Sequence, residues 1–496
     1  MSAFIFLAVV LVTVYLKTRG PLLGNLLNMP TSSEWEAYNK WCKEYDTDII
    51  HLDVAGTSIV VLDTLEAATE LLDNRSAIYS SRPRMTMVNE LMGWDFSFGL
   101  MEYGNEWRAQ RRLFQQEFNL IAVERYHQCE LKATHELLRR LLEEPNKFIK
   151  HIRHLAGSTI LSIAYGLEVL PENDPYIFAA EAGLCSLAKA AVPGAFLVDS
   201  VPLLKYIPDW FPGATFKRKA KKWRQYSKTM REMPFEAAKR GIAEGTANPS
   251  YTSYSLEKLD QAQDTASEEA RIQSTAATMY TGGTDSTVSV LCTFILAMLA
   301  NPEAQRKAQD EIDTVLGPGE LPQFADEVSL PYVSAVVKEV LRWKNVTPMG
   351  IPHALTSDDV YRGYRIPSGS TVIANIWAIL HDETVYPEPH SFRPERFMKE
   401  GKLNPDIRDP GIVLFGFGRR ICPARYMAYS SIWIAIASML AGFNISKAVD
   451  EFGNVIEPTY AYALALACVP LPFKCSVKTR STIVEASIRA TINVEA

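Results

Sequence analysis

Much is missing from this chain of 496 residues, and each absence narrows what it can do. It has no C-x-x-C pair. Its seven cysteines (Cys42, Cys129, Cys185, Cys292, Cys422, Cys468 and Cys475) are odd in number and scattered. That argues against a disulfide framework and a zinc cluster, and it suits a reducing compartment. For a cytosolic body, the glycosylation-like triplets at Asn74, Asn345 and Asn444 are chance matches. Basic charge is not in excess: with a net charge of −6, nucleic acid is not an expected partner. Repeats and low-complexity tracts are absent. No nucleotide or flavin fingerprint is apparent, so any electrons must come from another protein.

Long apolar runs are scarce as well. Ala3–Leu16, nearly all apolar, is the one membrane signal, and as a helix it would reach ~21 Å against a hydrocarbon core of ~30 Å. Lys17 and Arg19 follow it, with neither a basic leader before it nor a small-residue cleavage site after it. Residues 1–19 are therefore expected to be an uncleaved membrane anchor that leaves residues 20–496 in the cytosol. Gly20-Pro21-Leu22-Leu23-Gly24-Asn25 comes almost at once, so any hinge is short.

What is present is ordinary globular composition, 47% hydrophobic and 22% charged, in a chain long enough for a large core. The pattern is mainly α with small β-sheets. His51–Leu62 and Val360–Ala374 read as strands with glycine turns. Asn301 and Pro302 predict a capped helix that Gly317 stops. Leu330, Val333, Val336, Val337, Val340 and Leu341 recur at helical spacing. Pro423–Phe443 is an apolar helix of the core. Asn248–Glu269 reads as a polar surface connection, and the basic run Lys217–Lys222 as a solvated face, with a membrane-surface contact near the anchor as the alternative.

Cys422 carries the chemistry. It sits in Phe415-Gly416-Phe417-Gly418-Arg419-Arg420-Ile421-Cys422-Pro423-Ala424. Glycines let the backbone approach a flat cofactor closely, and Pro423 suits the first turn of the following helix. That helix would aim its positive end at the sulfur and favour thiolate. This loop resembles the haem-ligand signature Phe-x-x-Gly-x-Arg-x-Cys-x-Gly of the cytochrome P450 family, through Phe415, Gly418, Arg420 and Cys422. Ala424 stands where the last glycine is commonest.

Three further motifs support the resemblance. In Lys338-Glu339-Val340-Leu341-Arg342, Glu339 and Arg342 share a helical face; with Arg396 of Pro394-Glu395-Arg396-Phe397 they resemble the family's structural Glu-Arg-Arg network. Thr281-Gly282-Gly283-Thr284-Asp285-Ser286-Thr287 lies inside a helical run, where two glycines cost about 1 kcal/mol each. By itself the cost fits a packing contact between close helices, or a need for space or for a helix opened locally; the neighbouring acid and hydroxyls favour the opening, and the segment resembles the family's proton-delivery motif, implying Asp285 with Ser286 or Thr287. Trp107 and Arg111, one turn apart, match a Trp-x-x-x-Arg pair that binds haem propionates; Arg420 and His353 are implied in the same role.

The resemblance covers Leu22 to Cys475. Residues 86–94, 211–221 and 358–364 look like the fungal (basidiomycete) microsomal branch, tryptamine 4-hydroxylases among them. It implies a single large haem-binding domain at the endoplasmic reticulum membrane. The implied enzyme is a monooxygenase with haem b on Cys422, O₂ as oxidant, and electrons from NADPH through cytochrome P450 reductase. Its substrate would be a small hydrophobic metabolite of secondary metabolism, a terpenoid first, with an indole, tryptamine or polyketide as alternatives. A haem-thiolate isomerase or a non-catalytic haem carrier would not need the Asp285 group. The resemblance also implies a pocket lined by Met92, Trp94, Phe96, residues 190–196, Tyr280, Thr284, residues 346–351 and residues 459–462.

Overall fold

The computed structural model describes residues 24–493 apart from 31, 55, 193, 262–264 and 464–466. The expected anchor at residues 1–19 lies outside the described residues. The chain forms two compact units, each visited more than once. No linker therefore separates sequential domains.

The smaller unit takes the chain up to Pro83, then Met349–Ile379 and Phe417–Arg419. It holds helix α1 (Glu34–Glu44) and strands β1 (Ile49–Val54), β2 (Thr57–Leu62), β3 (His353–Ala354), β4 (Asp359–Tyr361), β5 (Tyr364–Ile366) and β6 (Thr371–Ala374). β1 and β2 form the expected hairpin, with Ile50 opposite Val61. β6 joins parallel to β2 and antiparallel to β3, giving the order β1-β2-β6-β3. Tyr38 and Cys42 of α1 pack on Ile50, Leu52 and Val61. β4 and β5 make a separate hairpin.

The larger unit comprises Arg84–Pro348, Leu380–Gly416 and the chain from Arg420. Its main helices are α2 (Asn105–Glu117), α3 (His127–Glu143), α4 (Phe148–Tyr165), α5 (Pro175–Ala190), α6 (Thr215–Glu244), α7 (Tyr251–Glu257), α8 (Thr265–Ala300), α9 (Pro302–Val315), α10 (Pro331–Trp343) and α11 (Arg425–Gly442). β7 (Phe443–Lys447) and β8 (Cys475–Thr479) form a hairpin-like pair. The C-terminal half of α8, from Val288 to Leu299, shares one core with the buried face of α10 and with Ile432–Ala441 of α11. By length and composition α8 could cross a membrane, but its apolar window is mostly buried inside the protein.

Two local expectations are corrected. Residues 248–269 are not simply a polar connection. Ser250 and Ser253 form a capping box that starts α7. Tyr251 and Thr252 are buried there, and Thr252 Oγ1 donates to Ala164 O at 2.7 Å. Asn301 does not cap α9 with its side chain. Its Nδ2 donates back to Ala297 O at 3.0 Å, tying off the end of α8.

Candidate active site

The cysteine loop is built by hydrogen bonds and by one collision. The Cys422 N–H donates to Phe415 O at 2.7 Å, which folds the loop back on itself. Gly416 and Gly418 have positive φ, +78° and +54°. A Cβ on Gly416 would meet nothing within 4 Å, whereas one on Gly418 would strike the Leu72 carbonyl oxygen. Protein packing by itself thus requires glycine at 418. α11 begins at Arg425, two residues later than expected. Cys422 is half-buried. Burial raises its thiol pKa, opposed by the Ala424 N–H and by Arg111 and Arg425. Desolvation thus works against the helix end and the arginines, which favour thiolate as expected; the charge of a bound metal would favour it further.

Beside the loop lies a set of cationic and donor groups. Arg111 Nη2 donates to Ile421 O at 2.6 Å. Arg420 donates to Phe98 O at 2.9 Å and Met101 O at 2.7 Å, and its guanidinium lies 4.7 Å from the centre of the Trp107 ring. All three side chains are buried. Burial pushes the Arg111 pKa down to about 10, with Cys422 opposing. Trp107 Nε1 is buried without an acceptor among the described residues. A desolvated guanidinium beside an orphaned indole N–H is the donor set an incoming carboxylate would satisfy. The residues present fit haem propionates.

The polar stretch of α8 is a window in an otherwise buried helix. Residues 275–280 and 288–299 are buried, while Thr281, Gly282, Gly283, Asp285, Ser286 and Thr287 keep accessible surface. Asp285 is 31% accessible, and its partial burial raises its pKa; Arg153 of α4, 3.4 Å away, opposes the shift. Arg153 also reaches Glu181 at 3.8 Å. The expected local opening of the helix is not found: α8 runs unbroken. Ser286 Oγ donates to Gly282 O at 2.8 Å and Thr287 Oγ1 to Gly283 O at 2.9 Å, so the hydroxyls bond carbonyls one turn back without displacing the ladder. The two glycines differ in purpose. A Cβ on Gly283 would press on Ile160 at 3.2–3.3 Å, so that glycine serves helix packing. One on Gly282 would enter open space. α8 packs beside α2, and Met279 and Tyr280 share a cluster with Trp107 and Met427.

The cytochrome P450 family model matches residues 15–473. The chain belongs to the cytochrome P450 family. It is 49% identical over 471 residues to cytochrome P450 monooxygenase 98 of Postia placenta, covering 94% of this chain and 90% of that protein. It is 47% identical over 471 residues to cytochrome P450 monooxygenase ple1 of Rhodocybe pseudopiperita, covering 95% and 90%. Tryptamine 4-monooxygenase of Psilocybe cyanescens is 43% identical over 470 residues, covering 94% and 92%. The protein is accordingly a P450 monooxygenase, an oxidoreductase, and the family implies a haem iron with a thiolate ligand.

In this P450 the Glu-Arg-Arg network is formed. Glu339 and Arg342 are wholly buried, with Nε–Oε2 2.7 Å and Nη2–Oε1 2.8 Å. Arg396 Nε reaches Glu339 Oε1 at 3.2 Å, and the Arg393 N–H adds a bond to the same oxygen at 2.8 Å. Leu380 O and Pro387 O accept from the two guanidiniums. Such satisfaction is what makes a buried ion pair tolerable. His353 belongs to the smaller unit, buried in β3, with Nδ1 2.8 Å from Tyr79 O. Met92, Trp94 and Tyr280, expected to line a pocket, are fully buried, and the Tyr280 hydroxyl donates to Tyr176 O at 2.8 Å. Sequence reading missed Arg153, whose partner lies far along the chain, and Arg82. Arg82 donates to Ile351 O and Pro352 O and fixes the approach to His353; burial pushes its pKa down to about 9.

Proposed function

We propose that this P450 is a haem-thiolate monooxygenase that hydroxylates a small hydrophobic metabolite, a terpenoid by preference, in fungal secondary metabolism. The carrying observation is the half-buried Cys422 sulfur beside a buried set of propionate-type donors. Haem held by Cys422 would supply the activation of O₂ that puts one oxygen atom into a C–H bond and releases the other as water. Trp107 Nε1, Arg111 and Arg420 would hold its carboxylates. Asp285 would hold a proton on its carboxyl, a role suited to an acid whose pKa burial raises. The hydroxyl of Ser286, or of Thr287, would pass that proton on toward the open space beside Gly282. Electrons would come from NADPH through cytochrome P450 reductase; Arg108 and Arg112, exposed one turn apart on α2, suit an acidic partner.

The acids near the expected pocket segments favour a neutral substrate. Asp199 Oδ1 accepts the Met87 N–H at 2.8 Å, Glu90 is bonded to Arg84 and Lys205, and Asp285 faces Arg153. Asp95 lies at the surface. The three that do not lie at the surface already have partners. The likeness to a tryptamine 4-monooxygenase supports an aromatic amine as the second reading. Membrane attachment through residues 1–19 at the endoplasmic reticulum is part of the proposal. It is supported by an apolar surface on the larger unit, where Leu197, Leu203, Tyr206 and Trp210 are 73–79% exposed just before the exposed cations Arg218, Lys219, Lys221 and Lys222.

Carbon monoxide added to the reduced protein should give the long-wavelength band of thiolate ligation, and Cys422→Ala should abolish it. A band unchanged in that variant overturns the assignment. Tight substrate-type spectral shifts with tryptamine and none with terpenoids would reverse the substrate order.

A further inference from the structure

The cysteine loop is held at its middle by a carboxylate that none of the expected motifs includes. Residues Thr69–Asn74 form a π-helical turn in the smaller unit, a geometry over-represented at functional sites. Gly418 docks on its end. The Gly418 N–H donates to Asp73 Oδ1. A side chain on Gly418 would strike Leu72 O and come within 3.2 Å of Ser76 Cβ, and its φ of +54° disfavours one in any case. A Cβ on Gly416, the other left-handed residue of the loop, would meet nothing within 4 Å, and its N–H stays within the larger unit, donating to Val413 O at 3.0 Å. The bond between Cys422 N–H and Phe415 O closes the loop at its base. Asp73 therefore grips a closed loop near its centre, four residues before the sulfur.

The gripping group is an anion where a neutral one would fit. Asp73 is partly buried, and burial raises its pKa, opposed by the Gly418 N–H; no cation contributes. An asparagine oxygen could accept the same bond without a charge to desolvate. The carboxylate offers a stronger acceptor, since charge-assisted bonds are about twice as strong as neutral ones. Loop rigidity is what that extra strength secures.

We propose that Asp73 is a positioning residue for Cys422, fixing the loop through Gly418 so that the sulfur is presented in one place. Its spectroscopic consequence rests on the haem-thiolate reading above; its effect on the loop does not. The test uses the full-length protein as wild type, Asp73→Asn and Asp73→Ala. Hydrogen exchange across 415–422 in Asp73→Ala should quicken by about tenfold or more, as for loss of a bond to a charged acceptor. The reduced carbon-monoxide band should move largely to the thiol-type position. Asp73→Asn, which keeps an acceptor, should rescue both to within about threefold of wild type. Exchange in Asp73→Ala that stays within that margin, or equal impairment in both variants, overturns the proposal. Should Asp73→Ala fail to fold, the unmodified protein still decides: the Gly418 amide, whose acceptor is Asp73, must be protected, and exchange there as fast as at an unbonded amide sinks the idea. If wild type shows no thiolate band, the haem-thiolate reading fails while the exchange data still judge Asp73.

Discussion

Glu130 is 2% exposed on α3 and is satisfied by two hydroxyls rather than a cation. Ser430 Oγ lies 3.0 and 3.1 Å from its oxygens, and Ser431 donates as well. Burial pushes its pKa up to about 8, partly opposed by the serines. A folded pKa above the unfolded value means the native state binds the extra proton. Glu130 thus contributes fully below its unfolded pKa of about 4.3, and the contribution is lost as pH rises through about 8. We expect the thermal midpoint to fall between about pH 5 and pH 8.5, and Glu130→Gln to remove most of that fall, on the order of a few kcal/mol at the upper end. A slope unchanged by the substitution would assign the pH dependence to other groups. At this scale Cys422, Trp107 and Arg111 were legible because their spacing is local. Glu130 and Arg153 were not, since each meets its partner more than a hundred residues away.

Among the elements, α8 gives the sharpest contrast. Gly282 and Gly283 read alike in sequence, as two costly residues in one helix. In the fold only Gly283 is pressed by a neighbour. Gly283→Ala should therefore destabilise by about 1–3 kcal/mol through overpacking against Ile160, less up to about 1 kcal/mol of helix propensity. Gly282→Ala should stabilise by about 0.5–1 kcal/mol, while filling space beside Asp285 and lowering turnover. Denaturant midpoints paired with product formation separate the two; equal loss of stability in both variants would refute the distinction. The expected opening of α8 was the natural inference from two glycines. It failed because side-chain hydroxyls reach carbonyls one turn back without breaking the backbone ladder.

For the molecule as a whole, membrane contact is expected beyond the proposed anchor at residues 1–19. Full-length protein in bilayers containing brominated lipid should show a quenched fluorescence component that Trp210→Phe removes, larger when anionic lipid is added. Equal quenching in wild type and variant would leave the 197–222 segment off the bilayer. By sequence the basic run suits a solvated face or a membrane surface, and Arg218, Lys219, Lys221 and Lys222 are exposed. The apolar residues just before them are exposed too, which composition could not reveal because a Leu or Trp reads as core until its neighbours are placed.

The sequence by itself determined the family, the mainly helical architecture and the residues proposed to touch a cofactor, because those motifs are short and their spacing encodes one face or one turn. The tertiary structure decided what each group experiences: that burial outweighs the arginines at Cys422, that Asp285 faces Arg153, and that Gly418 is a docking point for Leu72 and Asp73. Desolvation and steric fit depend on which distant segments meet, and no local pattern carries that information.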